Sequence, residues 1–108
     1  MELYKTYVDT DQPNQKIRFS IYFNKETINW ATGQYKDKGY QVTAIPVEKT
    51  GFGESFGAFT GFNDIIYPVQ RQSKKRLQTA INMLHLKMDE YLKFFENKGY
   101  KVKRTQLK

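Results

Sequence analysis

Ser73-Lys-Lys-Arg-Leu-Gln-Thr-Ala-Ile-Asn-Met-Leu-His-Leu-Lys-Met-Asp-Glu-Tyr-Leu-Lys-Phe-Phe-Glu-Asn-Lys-Gly99 is the stretch that decides the fold. Leu77, Ala80, Ile81, Leu84, Met88, Tyr91, Leu92 and Phe95 recur at three- and four-residue spacing, which lines one side of an α-helix with apolar groups. Ser73 is a good N-cap and Gly99 supplies the stop. The spacing predicts a helix over Lys74–Asn97, ~36 Å long at 1.5 Å per residue.

An apolar stripe of that length needs a surface to cover, and the upstream sequence supplies strands. From Lys16 to Asn24, Ile17, Phe19, Ile21 and Phe23 alternate with Arg18, Ser20 and Tyr22, the period of a half-buried strand. A short strand over Leu3–Val8 precedes it across an Asp9–Gln15 loop containing Pro13 and Asn14. The Lys25–Lys38 stretch reads less clearly. Gly33 and the weak helix formers Thr27, Asn29, Trp30 and Thr32 argue against a helix there. A short strand over Ile28–Thr32, turning at Gly33 into a polar loop, is preferred. Tyr40–Glu48 reads as a strand with Tyr40, Val42, Ala44 and Pro46 on one face, Pro46 marking an edge or a bulge. Gly51–Phe62 holds four glycines and four phenylalanines and mixes strand with turn. An apolar run over Ile65–Val69 stops around Pro68, and Tyr100–Lys103 forms a last short strand. The expectation is a single α+β domain over residues 1–108: a small antiparallel sheet of three to five strands packed against one long C-terminal helix.

Aromatic residues make up 16% of the chain, so the core must be built largely from rings. There is no Cys and one His, which excludes disulfide scaffolds, thiolate metal sites and cysteine nucleophiles. No apolar run approaches the ~18–20 residues of a membrane span, and the N-terminus lacks a signal-peptide layout, so the expected compartment is the cytoplasm, with no membrane contact. Gly53-Glu54-Ser55-Phe56-Gly57 matches the serine-hydrolase elbow. However, no parallel sheet or following helix supports it, and the one base available, His85, lies inside the long helix. Gly51, Gly53 and Gly57 have the wrong spacing for a dinucleotide loop. His85 and Asp89 give two ligands at i and i+4 with no second cluster to complete a metal site. The reading is a non-enzyme without cofactor.

The charge is concentrated. The chain carries 18 Lys+Arg against 11 Asp+Glu, a formal +7. Residues 70–76 hold Arg71, Lys74, Lys75 and Arg76 with no acid, and residues 98–108 hold Lys98, Lys101, Lys103, Arg104 and Lys108 with no acid. Half of the bases therefore lie in these two segments, and the rest of the chain is net −2. Helix N-termini favour acids, yet this one opens on Lys74, Lys75 and Arg76. First-turn amides, the positive dipole end and four bases together suit phosphate. Arg71, Lys74, Lys75 and Arg76 are thus the candidate phosphate contacts, and Lys101, Lys103 and Arg104 extend them. Phe52, Phe56, Phe59 and Phe62 are claimed at least in part by the core. Tyr22, Trp30 and Tyr35 are the better candidates for stacking bases of a single strand.

Ile28-Asn-Trp-Ala-Thr-Gly, Lys38-Gly-Tyr with Val42-Thr-Ala-Ile-Pro-Val, and Ala58-Phe-Thr-Gly-Phe with Arg71-Gln-Ser-Lys-Lys carry a resemblance over residues 28–76. They resemble small accessory proteins of Gram-positive phages and integrating elements, including the companions of the A-family-polymerase-like primase of staphylococcal cassette chromosome elements. The resemblance implies a non-catalytic partner in DNA replication of a mobile element and marks Gly33, Gly39, Gly61, Arg71, Lys74 and Lys75. The functional expectation is an accessory subunit that binds nucleic acid, single-stranded DNA foremost, alongside a polymerase- or primase-like protein. The alternative is a protein-interaction module or inhibitor that meets an acidic protein surface.

Overall fold

The computed structural model describes residues 2–24, 28–29, 34–35, 39–51, 53–55 and 61–103. The chain has an α+β fold, an antiparallel sheet packed against one C-terminal helix. β1 (Glu2–Asp9) pairs with β2 (Gln15–Asn24), and β2 pairs along its whole length with β5 (Gly39–Thr50). The far side of β5 takes two strands end to end: β7 (Phe62–Tyr67) along Tyr40–Ala44 and β6 (Gly53–Ser55) along Glu48–Thr50. The sheet thus has five strands but is four ranks wide. β3 (Ile28–Asn29) and β4 (Gln34–Tyr35) form a separate two-stranded piece.

The alternation in β2 sets the layers. Ile17, Phe19 and Ile21 are completely buried, as are Tyr40, Val42 and Ala44 opposite Phe23, Ile21 and Phe19. Against this face lies α1 (Lys74–Asn97), burying Ala80, Leu84, Met88, Tyr91, Leu92 and Phe95. Rings join the layers. Phe19 meets Tyr91 and Phe95 at centroid distances of 6.3 Å each, and Phe62 meets Tyr91 at 4.9 Å and Phe94 at 5.1 Å. Aromatic pairs at such separations add about 0.5–1.5 kcal/mol beyond their buried area. Among the described residues, however, the buried core is mostly aliphatic rather than built largely from rings: Phe19, Tyr40, Tyr91 and Phe95 are set among Ile, Leu, Val, Ala and Met side chains.

The helix ends are closed as the sequence predicts. The Ser73 hydroxyl accepts the Arg76 N–H at 3.1 Å. At the other end Gly99, at φ +99°, donates to the Glu96 carbonyl, and the Tyr100 N–H donates to the Phe95 carbonyl. That is a Schellman closure, completed by the Tyr100 ring standing edge-on to Phe95 at 6.0 Å.

Three expectations change. β5 is an inner strand and its pairing with β2 runs in regular register through Pro46, so that residue marks neither an edge strand nor a bulge in that ladder. Pro46 is tolerated because it falls between the β7 pairing, which ends at Ala44, and the β6 pairing, which begins at Glu48, so no described ladder on that side needs its missing N–H. Gln34–Tyr35 is strand, not polar loop, because the extended Ile28–Asn29 segment pairs back onto it. The last segment makes one bridge, Thr10 to Val102, rather than a full strand. Ser55 lies in β6, which pairs antiparallel with β5.

Candidate nucleic-acid interface

Arg71, Lys74, Lys75 and Arg76 are all exposed at the start of α1. Their platform is tied to the sheet by Tyr40, a fully buried β5 residue. Its hydroxyl accepts the Ser73 N–H at 3.1 Å and donates to the Ser73 carbonyl at 3.2 Å. The first turn contains no acid. First-turn amides have no acceptor within their own helix, so the dipole end and the cationic side chains share this pole of the molecule. A shallow apolar cleft of about 270 Å³, lined by Leu3, Tyr40, Gln72, Ser73, Lys74 and Leu77, opens beside it.

The second basic segment is elsewhere. An unbroken 24-residue helix separates residues 71–76 from residues 98–103, so the two clusters occupy opposite poles of a molecule 39 Å in its longest dimension. They do not form one continuous patch. Lys101 and Lys103 are exposed, but their backbone is laced to the β1–β2 turn. The Asp11 N–H donates to the Lys101 carbonyl at 3.0 Å, and the Lys103 N–H donates to the Asp9 carbonyl at 2.8 Å. Two acids therefore lie alongside the bases, and Asp9 forms an ion pair with Lys16. A polar cleft of about 380 Å³ at this pole is lined by Asp11, Gln12, Lys98 and Lys101 among others. The segment is acid-free only in sequence; in space its charge is mixed. Arg104 lies outside the described residues.

Of the stacking candidates, Tyr22 is half-buried on the sheet face turned away from α1, beside Gln41 of β5. Trp30 lies outside the described residues, and Tyr35 is described only as part of β4. Phe62 belongs to the core, whereas Phe52, Phe56 and Phe59 lie outside the described residues.

The face carrying Tyr22 holds residues that sequence reasoning passed over. The β1–β2–β5–β7 register sets Lys5, Ser20, Thr43 and Asn63 on one rung and Tyr7, Arg18 and Ile45 on the next rung of the same face. The Lys49 ammonium stands 4.9 Å from the Tyr7 ring centroid and that of Lys5 6.0 Å. Lys5, Lys49 and Asn63 are exposed, and the 2.8 Å hydrogen bond from Thr43 to Asn63 is open to solvent. The i, i+2 spacing of Lys5 and Tyr7 was the one available signal. Lys49 arrives only through strand pairing.

His85 is exposed, with Nε2 3.4 Å from the Tyr4 hydroxyl, and Asp89 pairs with Lys93 at 3.3 Å. Among the described residues no group of three or more His, Asp or Glu is arranged to hold a metal ion. The Tyr91 hydroxyl donates to Asp64 at 2.8 Å; burial first, then this carboxylate, holds it protonated well above the usual tyrosine range. No described helix is long and apolar enough to cross a membrane. No protein-family model, curated protein or solved structure matches the chain.

Proposed function

We propose that this protein is a non-catalytic accessory subunit that binds nucleic acid, single-stranded DNA foremost, and works beside a polymerase- or primase-like protein of a mobile element. The observation that carries the reading is the exposed group Arg71, Lys74, Lys75 and Arg76 on a helix start braced by Tyr40, with no acid in the first turn. An exposed like-charged cluster at the positive end of a helix dipole costs stability and suits a polyanion. The polymerase partnership is drawn from the resemblance over residues 28–76.

Binding of a fluorescent oligonucleotide across a salt series tests the reading. Each neutralised phosphate of a single strand contributes roughly −0.7 to the log–log salt slope. Replacing Lys74, Lys75 and Arg76 together by Ala should flatten the slope by about 2. An unchanged slope and affinity would overturn the assignment. Co-purification of a partner protein without any oligonucleotide binding would replace it with a protein-interaction module.

A further inference from the structure

We infer that a single-stranded nucleic acid crosses the sheet face opposite α1, with Tyr7 and Tyr22 each stacking an unpaired base and Lys5 and Lys49 meeting the flanking phosphates. The inference rests on the nucleic-acid reading above and adds a second, base-contacting surface to the helix-start pole.

Four observations converge on this face. Tyr7 and Tyr22 both point away from the helix, because they lie in register with Arg18 and Gln41 rather than with the buried Phe19 and Val42. Along β2 the position opposite Tyr7 is four residues from Tyr22. At ~3.4 Å per residue along the strand and one strand spacing across it, their Cα atoms are about 14 Å apart, room for each ring to take its own base. The ammonium groups of Lys5 and Lys49 stand over the Tyr7 ring, so cation and ring are offered together. Between the rings lie the uncharged hydrogen-bonding groups of Thr43 and Asn63, open to solvent, while the buried Ser20 hydroxyl is taken up by the Glu2 carboxylate at 2.6 Å.

This combination matches an unpaired strand better than a duplex. Stacking on a flat ring needs a base face free of its neighbours, and a base pair locked in a helix does not offer one. A base arriving on Tyr7 displaces the Lys49 ammonium from the ring, and that charge then lies within reach of the adjoining phosphate. Sequence preference should be slight, since every base has a π-face.

The test is binding of labelled oligo(dT), with a duplex of matched length as comparison. Tyr7→Ala and Tyr22→Ala should each weaken oligo(dT) binding about tenfold with little change in salt slope. Tyr7→Phe and Tyr22→Phe should keep the wild-type affinity, since the ring does the stacking. Lys5→Glu with Lys49→Glu should weaken binding and flatten the slope. If wild-type protein does not bind oligo(dT), both this inference and the proposed function fail. If it binds, and the Lys74/Lys75/Arg76 variant loses slope while both tyrosine-to-alanine variants bind like wild type, this surface alone is overturned. Should the alanine variants not fold, the exposed Lys5→Glu, Lys49→Glu pair decides, and unchanged affinity there overturns the inference.

Discussion

The Tyr40 hydroxyl satisfies both backbone polar groups of Ser73, accepting its N–H at 3.1 Å and donating to its carbonyl at 3.2 Å. A core side chain of the central strand thereby fixes where the helix, and the cationic cluster on its first turn, begins. Tyr40→Phe keeps the ring contacts with Phe23 and Tyr67 but removes both bonds. It should cost about 1–3 kcal/mol, from two net bonds of ~0.5–1.5 kcal/mol each, read as a lower urea midpoint. Oligonucleotide affinity should fall with it, because the platform loses its brace.

Stability and binding should move in opposite directions at the helix start. Lys74→Glu and Lys75→Glu place acids at the positive end of the dipole, where each stabilises by about 0.3–1 kcal/mol at low salt. Thermal melts should therefore rise slightly while polyanion binding collapses. A parallel loss of both would contradict the electrostatic account of this pole.

Two glycines test backbone geometry against mere flexibility. At Gly39, φ is +145° and an added Cβ would lie 2.4 Å from the Tyr67 carbonyl oxygen and 2.7 Å from the Pro68 Cα. Neither backbone atom can yield without shifting β7, so Gly39→Ala should destabilise by more than about 2 kcal/mol. Gly51 has nothing within 4 Å of the same position, and Gly51→Ala should leave the unfolding free energy within about 1 kcal/mol of wild type.

Tyr91 gives a pH signature. Burial and its bond to Asp64 raise its pKa in the folded protein far above the unfolded value near 10. Above pH 10 the unfolded chain releases this proton while the folded one keeps it, so stability falls as pH rises. Below pH 10 the contribution is complete. Tyr91→Phe should therefore be less stable than wild type at pH 7–9, by about 1.5–3 kcal/mol for a hydrogen bond to a carboxylate. The gap should narrow between pH 10 and 11 in urea titrations of the two proteins.

Local pattern was enough for α1, including its Ser73 cap and Gly99 stop, and for the buried face of β2, because both depend on residues a few positions apart. The helix-start cluster was legible for the same reason: Arg71 to Arg76 are neighbours in sequence and stay neighbours on the first turn. Strand partners are another matter. Period-two alternation says which face of a strand is buried but not which strand lies beside it, so Pro46 reads as an edge or a bulge although β5 is central. Pairing across ninety residues brought Asp9 and Asp11 alongside Lys101 and Lys103, turning an acid-free segment into a mixed-charge pole. The 24-residue helix then held that pole ~36 Å from the first cluster. The same non-local pairing brought Lys49 of β5 over Tyr7 of β1, a juxtaposition no spacing along the chain encodes. Charge, periodicity and capping are properties of short segments and survive folding unchanged. Which charges meet, and which rings share a face, depends on long-range register, and only the assembled sheet and helix decide it.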